Sequence, residues 1–525
     1  MNPGEGQRKR LSVAMVLADD AEMATTTLES VREIADEIVV ADINASGPGG
    51  GNVAALATHF LTVPWDHNFS SAPNRCLQAT TGDWILCLDA GETLTAQGAE
   101  DLRGFVDTAA DAAKAYRLLI HTPAAAGGFA SLQVAQHRLI PRHPGLHFSS
   151  SVRETLDLAV AACGLQSETI DLSIHRPDLA KQLTQKLQRA RRVIHVYDKT
   201  LPAAATDTQM LLARAEALAD LGEWDEARLS FQQARQSASA GSIEMLESYY
   251  GELASYDNNF ALREQQLNLC IEALKYFPVD MQLLCAMGNY LQQQQRIDLA
   301  ARSYQTAVQY GQINFGTWHL TNIVDIATTC LSVSLELQDK QEEAFALLEN
   351  TLLERPHSDR IRYQLIDLHV RHGRRKEAIE QAARLSAEWP HREAFTNAVR
   401  GACLAGEENW SGAIAYLQTA FDAGCCDVLC LRWLSLTYAA LEQFDAAQEV
   451  LEQWRAVEPD SREIPKIITR IQGKQFNPPL GQEPNATESV RGETFQIHPP
   501  DDSLSPTKRK TTTADIQPGE NPETA

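Results

Sequence analysis

Several features that would identify a function at once are absent from this sequence of 525 residues. Its 46 lysines and arginines face 69 aspartates and glutamates, which gives a net charge of −23. This shortage of positive charge argues against nucleic acid as the main partner, because phosphate backbones are met by clusters of Lys and Arg. The sequence also contains no P-loop, GxGxxG motif, nucleophile elbow or HExxH motif. It therefore predicts no nucleic-acid binder and none of the enzyme classes that those motifs mark.

Long apolar runs and paired cysteines are also missing. No run approaches the roughly 18 apolar residues of a membrane-spanning helix, so we expect no transmembrane segment. The ten cysteines include no CxxC pair, and Cys425, Cys426 and Cys430 have no matching His or Cys cluster that would suggest zinc. The basic run RKR at 8–10 precedes a short apolar segment without a cleavage pattern suited to export. We therefore expect reduced thiols and a cytoplasmic location.

Changes of pattern divide the chain into five segments. Short apolar runs alternate with helical stretches in the first part, and this order predicts an α/β domain with a mostly parallel sheet. The last segment carries eight of the 22 prolines and too few apolar residues to offset chain entropy. We predict an N-terminal extension at 1–10, the α/β domain at 11–177, a linking helix at 178–204, a helical repeat solenoid at 205–472 and a disordered tail at 473–525.

Apolar runs bounded by turn residues mark the strands of the α/β domain. We expect strands at 12–17, 37–42, 61–63, 84–89, 116–121, 134–140 and 169–174. Helices are expected between the early strands, at 22–34, 53–58 and 72–79. The later strands follow without a predicted helix, which suggests a hairpin that completes the sheet.

A repeat marks the helical half. Alanines where two helices would pack closely recur 34, 35 and 34 residues apart, at Ala344, Ala378, Ala413 and Ala447. A proline follows three of them by 12 residues, at Pro356, Pro390 and Pro459. This spacing resembles the tetratricopeptide repeat. We expect about seven units, the second and fourth irregular, that form a curved solenoid whose concave face takes a protein partner.

The stretch at 65–94 is the most informative for function. Its second half predicts a buried strand that ends in an acidic cluster, Asp89-Ala90-Gly91-Glu92. A carboxylate at the C-terminal end of a strand lies where open α/β sheets bind ligands. It can hold a divalent cation against a diphosphate, because hard cations take oxygen ligands and share them with phosphates. On spacing alone, a helix N-cap or a solvated turn is the stronger interpretation, so other segments must decide.

Further motifs make the domain similar to family 2 glycosyltransferases, which have a GT-A fold, and to the bacterial branch in which tetratricopeptide repeats follow the transferase domain. The specific match is GDWILCLDAGE at 82–92. Weaker matches are DINAS at 42–46, FSSAPN at 69–74, RLIPR at 138–142, GLHF at 145–148, VRE at 152–154 and IH at 174–175. The resemblance covers about residues 11 to 175, and the appended repeats strengthen it.

The resemblance implies transfer of a sugar from a nucleotide-sugar donor to a protein, peptide or envelope saccharide that the repeats help to bind. Inversion at the sugar needs a base, and Mn²⁺ or Mg²⁺ can stabilise the departing diphosphate. Asp89 would contact the metal and the donor, and Glu154 would be the base. The other implied residues are Asp42 at the nucleoside, Glu92, Arg75 and Arg153 around the donor, and His175 at the metal or diphosphate. Without the resemblance, Asp42 would be a turn residue, Glu154 a solvated helix residue and His175 a surface histidine.

Several positions depart from the family's motifs. Gly91 replaces the second acid of the D-A-D cluster, Pro73 replaces an arginine, and Arg153 replaces the histidine beside Glu154. The loop after Asp42 and the turn after the first strand also lack the family's polar residues. Each lost charged partner typically costs about 1–3 kcal/mol of binding. A second hypothesis is therefore a catalytically degenerate transferase domain that acts with the repeats as a protein-binding scaffold.

Overall fold

The computed structural model describes residues 8–18, 20–44, 51–123, 131–177, 179–200, 206–256, 262–387, 389–458, 461 and 463–472. Four of the predictions above fall elsewhere, wholly or in part. Most of the N-terminal extension at 1–10, the disordered tail at 473–525, Pro459 and most of the loop after Asp42 lie outside the described residues.

One sheet organises the N-terminal half. Its strands are β1 (Leu11–Leu17), β2 (Glu37–Asp42), β3 (His59–Thr62), β4 (Trp84–Asp89), β5 (Lys114–Thr122), β6 (Leu132–Pro141), β7 (Gln166–His175) and β8 (His319–Leu320). The order across the sheet is β3-β2-β1-β4-β6-β5-β7, and β8 pairs with β6. Strands β1 to β4 are parallel, β6 is antiparallel to β4 and β5, and β7 is parallel to β5. The predicted α/β domain is present, and its sheet is parallel from β1 to β4 and antiparallel around β6.

Five helices connect these strands. They are α1 (Ala21–Val31), α2 (Gly51–Leu56), α3 (Ser71–Ala79), α4 (Ala96–Thr108) and α5 (Asp157–Ala162). The first three agree with the predicted helices to within three residues. The expectation that the later strands follow without helices was wrong at α4 and α5, although β5 and β6 form the predicted hairpin. Helix α4 contains two glycines, Gly98 and Gly104, which weaken the helical signal of its sequence.

The central strands are buried on both faces, as expected for parallel strands covered by helices. Every residue of β2 is buried, and only Asp89 at the end of β4 is exposed. Val13 and Leu86 face one core, which also contains Leu28 of α1. Ile85 faces the opposite core, against the α3 side of the sheet.

The helical half begins with α6 (Leu179–Thr200), the predicted linking helix. Seven helix pairs and a final helix follow within the described residues: α7 (Thr208–Asp220), α8 (Trp224–Ser237), α9 (Ile243–Ala254), α10 (Arg263–Ala273), α11 (Met281–Gln293), α12 (Ile297–Tyr310), α13 (Ile323–Glu336), α14 (Gln341–Glu354), α15 (Asp359–Arg371), α16 (Arg375–Ala383), α17 (Arg392–Gly406), α18 (Trp410–Asp422), α19 (Val428–Ala440), α20 (Phe444–Val457) and α21 (Glu463–Gln472). The repeat alanines 344, 378, 413 and 447 are fully buried in α14, α16, α18 and α20. The helical solenoid predicted for this half is therefore present.

The sheet and the helical half are joined at three places. Phe69 and Val152 of the α/β domain share an apolar core with α6 and α7. The side chain of Arg153 contacts Glu247 of α9 at 2.8 Å. The segment between α12 and α13 supplies β8, and the backbone N–H of Ala135 donates to the carbonyl oxygen of Phe315 at 2.8 Å. This pairing explains why the fourth unit departs from the repeat pattern. No helix in the described ranges combines the length and apolar character that crossing a bilayer requires.

Candidate functional site

The C-terminal ends of β2, β1 and β4 form the edge of the sheet to which the sequence points. Leu17 of β1 pairs with Asp42, and Val16 pairs with Asp89, so the two acids end the strands on either side of β1. Because neighbouring strands lie about 4.8 Å apart, these two residues are about 10 Å apart across the sheet. Asp42 is largely buried, and its carboxylate accepts a hydrogen bond from the backbone N–H of Asn44 at 2.8 Å.

Two arginines neutralise the acidic cluster that follows β4. Arg138 Nη2 donates to Asp89 Oδ2 and to Glu92 Oε1, both at 2.7 Å. Arg176 donates to the same oxygen of Glu92 through Nε at 3.1 Å and Nη2 at 3.0 Å. The other carboxylate oxygen of Glu92 accepts the backbone N–H of Asp89 at 3.0 Å. We call these four residues the arginine–acid cluster.

Burial and charge act in opposite directions on the pKa values of this cluster. Glu92 is only 1% exposed, and its burial raises its pKa, against the opposing charges of Arg138 and Arg176. The side chain of Asp89 is 59% exposed. Desolvation by its neighbours would raise the pKa of Asp89, but the charges of Arg138 and Arg176 outweigh it and hold this pKa well below its usual value. Asp89 is therefore an anion that already has its counter-cations.

Gly91 has a structural reason to replace the family's second acid. Its φ is +95°, in the left-handed region that side chains rarely adopt. A Cβ atom there would lie 3.2 Å from Met23 Sδ and 3.3 Å from Pro177 Cδ. Its backbone N–H donates to Thr27 Oγ1 at 2.8 Å. The tight turn requires glycine at this position, so an aspartate would strain the turn.

Glu154, the predicted base, is also paired with an arginine. Arg189 of α6 donates to both of its carboxylate oxygens, at 3.0 and 3.2 Å. The guanidinium of Arg189 lies over the ring of Phe69, 4.5 Å from its centroid. The charge of Arg189 also contributes to the low pKa of Asp89. The linking helix therefore places one cation near both predicted carboxylates.

The side chains of the other predicted residues lie apart from one another, although the backbone of His175 lies beside the arginine–acid cluster. Arg153 has a φ of +49° and pairs with Glu247 at 2.8 Å and Glu216 at 3.7 Å, both in the repeats. Arg75 is exposed on α3. His175 stacks on His121, with ring centroids 5.6 Å apart, and its backbone pairs with Thr93. The predicted contacts of these three residues with a donor or metal stay predictions.

The arrangement does not favour a divalent cation. Asp89, Glu92 and Glu154 accept hydrogen bonds from guanidinium groups, where a metal would need those oxygens free. The described part of the chain contains no group of three His, Cys, Asp or Glu side chains placed to hold a metal ion. Mn²⁺ or Mg²⁺ therefore stays a prediction from the resemblance, and the paired carboxylates do not fit it.

Sequence reasoning missed the three arginines that define the site. One signal was available for Arg138, which begins the motif RLIPR at 138–142, and the structure places it on β6 with only 7% exposure. Because a buried arginine needs an acidic partner, such a residue indicates an ion pair. Arg176 follows β7 and Arg189 lies on α6. Both are far from β4 in the sequence, and no local pattern marks them.

Comparison with known proteins identifies the repeats. The family described as "Tetratricopeptide repeat" matches residues 338–399, from the turn after α13 into α17. A TPR repeat-containing protein of Synechococcus elongatus is 34% identical over 98 residues, which are 19% of this chain and 24% of that protein's length. The helical half therefore carries tetratricopeptide repeats.

Solved structures of repeat proteins are similar over about half of the chain. A tetratricopeptide repeat protein from Parabacteroides merdae is 13% identical with a TM-score of 0.41, over 50% of this chain and 98% of that one. Yeast Tom70 is 14% identical with a TM-score of 0.38, over 56% of this chain and 59% of that one.

Proposed function

We propose that the chain is a protein-binding scaffold, because its helical half carries tetratricopeptide repeats. Stacked repeats form an extended surface that suits a protein partner. In this proposal the α/β domain is a transferase-like domain without catalytic activity. It serves as a fixed platform at one end of the repeats.

The pairing of the acids predicted for the donor, the metal and the base carries this proposal. Asp89 and Glu92 share Arg138, and Glu154 accepts from Arg189. A donor diphosphate or a metal that took the paired oxygens would have to displace these arginines. Removing one partner of the buried pair between Arg138 and Glu92 typically costs about 3–5 kcal/mol, whereas the more exposed pairs of Asp89 and Glu154 contribute about 1 kcal/mol or less. An arrangement that satisfies its own charges favours a structural role.

The joints to the repeats support the same function. Arg153, which replaces the family's histidine, holds α9 through Glu247. The strand β8 of the fourth unit extends the sheet through β6. These two contacts hold the α/β domain against the solenoid.

A glycosyltransferase is the second candidate, and one observation favours it. Asp42 and Asp89 lie at the same sheet edge, and the charge of Arg189 acts on Asp89 as well as on Glu154. In this function the diphosphate of a nucleotide-sugar would take the place of the carboxylates on the arginines. Glu154, once released, would accept the proton of a protein, peptide or saccharide acceptor.

A nucleotide-sugar panel separates the two functions. The full chain is incubated with each donor, with and without Mn²⁺ or Mg²⁺, and thermal stability and nucleotide release are measured. A donor at about 100 times its Kd would stabilise the fold by about 2.7 kcal/mol. The scaffold proposal expects no stabilisation and no release with any donor. Stabilisation together with release would overturn it in favour of the transferase.

Matched variants decide whether any release comes from the candidate site. Asp89→Ala should abolish release by a transferase that uses this edge. Asp107→Ala removes another aspartate that is paired with an arginine, Arg103 at 2.6 Å, but on α4. Release that survives Asp107→Ala and disappears in Asp89→Ala would assign the activity to the sheet edge. Equal loss in both variants would trace the loss to reduced stability and would contradict the placement of the activity at this edge.

A further inference from the structure

A row of three histidines crosses the sheet where the helical half joins it. His319 of β8 lies opposite Gln133 of β6, and Gln133 lies opposite His121 of β5. His121 in turn lies opposite His175 of β7. Residues that lie opposite each other on neighbouring strands point to the same face of a sheet. The three imidazole rings therefore share one face, and we call them the histidine row.

The rings are close enough for their charges to interact. His121 and His175 stack, with ring centroids 5.6 Å apart. His319 is two strands away from His121, which corresponds to about 10 Å. Like charges at such distances repel each other wherever water is largely excluded, so the row resists full protonation.

Burial adds to this resistance. The ring of His319 is only 2% exposed, and its Nδ1 donates to the carbonyl oxygen of Thr317 at 3.0 Å. The ring of Phe315 packs edge-on against it, with centroids 5.1 Å apart. His121 is half-buried, and its Nε2 lies 3.1 Å from Ser173 Oγ. Because burial lowers the pKa of both histidines, the joint holds them as neutral imidazoles near pH 7.

The charged neighbours of the row do not compensate for additional protons. Arg176, the residue after β7, is a permanent cation whose guanidinium lies over the ring of Trp318, 5.2 Å from its centroid. Asp171 of β7 raises the pKa of His121, but burial and the other histidines lower it more. On the solenoid side, Asp280 at the start of α11 already accepts hydrogen bonds from a tyrosine and from the backbone. Protons that enter the row thus add positive charge to a joint that already contains a cation.

We propose that the histidine row makes the pairing of β8 with β6 a pH-sensitive latch between the sheet and the repeats. At neutral pH the rings are uncharged, and the latch is closed. As the pH falls below about 6.5, the usual value for histidine, an opened joint takes up protons before the closed joint does. The free energy of opening therefore decreases as the pH falls, and β8 leaves β6 more often.

An open latch has two consequences for the fold. The segment between α12 and α13 loses its hold on the sheet, and Arg176 loses the indole of Trp318 over which its guanidinium lies. The same arginine belongs to the arginine–acid cluster, so the latch connects the fourth helical unit with the candidate site. This inference does not depend on the scaffold function or on the transferase.

The experiment measures amide exchange of the full chain at pH 7.5 and pH 5.5 by mass spectrometry. Each rate is divided by the intrinsic chemical rate at that pH, so the remaining change reports opening of the structure. We expect opening at 131–135 and 317–321 to increase by about fivefold or more at pH 5.5, relative to β1, which contains no histidine. Equal changes in the joint and in β1, or no change in either, would overturn the proposal.

A double variant, His121→Gln with His319→Gln, tests whether the row causes this change. Glutamine keeps hydrogen-bonding groups but does not titrate, so the pH response should fall below about twofold. His357→Gln is the matched control, because His357 is exposed between α14 and α15, and this variant should keep the response of the unchanged chain. A response that survives in the double variant would contradict the role of the row. If the double variant does not fold, His121→Gln alone should reduce the response, and an unreduced response there rejects the latch.

Discussion

Replacing Arg138 with methionine should weaken the sheet more than replacing any exposed arginine. Methionine keeps the apolar stem but removes the guanidinium that donates to Asp89 and Glu92 at 2.7 Å. Glu92, at 1% exposed, would keep only Arg176 as its cation. Because its pKa is already raised by burial, it would tend to take up a proton rather than remain charged.

The magnitude follows from the environment of Glu92. Removing one partner of a buried ion pair typically costs about 3–5 kcal/mol. Because Glu92 keeps its contact with Arg176, we expect the free energy of unfolding to decrease by about 3 kcal/mol. Glu92→Gln removes the charge but keeps an oxygen for the backbone N–H of Asp89. Adding Glu92→Gln to Arg138→Met should therefore recover about 2 kcal/mol, a coupling energy that independent residues do not show.

Hydrogen exchange followed by mass spectrometry measures this loss in β4 and β6. A change of about 3 kcal/mol accelerates exchange of the protected amides by about 150-fold. Arg142→Met, at an exposed position just after β6, is the control and should change stability by less than about 0.5 kcal/mol. A loss below about 1 kcal/mol for Arg138→Met, or strictly additive effects with Glu92→Gln, would refute the reasoning and weaken the scaffold proposal.

Three further results are expected. Gly288→Ala should destabilise the repeats by about 1–3 kcal/mol, because the new Cβ would lie 2.7 Å from the ring of Tyr304. Gly104→Ala is the control and should not destabilise the protein, because the space around it is open. Urea unfolding compares the two variants. Burial, with a smaller contribution from Arg374, lowers the pKa of His369 to about 4. As the pH falls, the unfolded chain therefore takes up a proton on His369 before the folded chain does. The free energy of unfolding should decrease by at most about 3 kcal/mol between about pH 6.5 and pH 4. His369→Gln should reduce this decrease, as measured by urea titrations at both pH values. Trp318→Ala removes an indole packed on the sheet core and should increase amide exchange in β8 and β6.

The elements that could be predicted are those whose signal is local. Strands β2 and β4 agree with the predicted bounds because each contains a continuous apolar run that ends in an acid. The repeat alanines were placed correctly because they recur at a fixed spacing and must be small where helices cross. Strand β8 could not be predicted, since two residues in a helical half become a strand only through pairing with β6.

The candidate site also has a part that the sequence predicts and a part that it does not. That Asp42 and Asp89 share an edge follows from parallel strands, whose C-terminal ends lie together. The arginines that pair with Asp89 and Glu154 come from β6, from the residue after β7 and from α6, and only the tertiary structure brings them together. Gly91 illustrates the limit of motif comparison. Its sequence indicates a lost acid, whereas its φ of +95° indicates a turn that an acid would strain.

Strand β8 belongs to the fourth helical unit and pairs with β6 of the sheet, which has a consequence for synthesis of the chain. Strand β6 ends at Pro141, and its partner β8 begins at His319, so roughly 180 residues must be made between them. At a synthesis rate of about 5–20 residues per second, one end of β6 in the nascent domain stays unpaired for on the order of ten to forty seconds. An uncovered strand edge invites pairing with other chains. A fragment cut after the linking helix would keep that edge open permanently, so a protein shortened to its first domain should aggregate rather than remain monomeric.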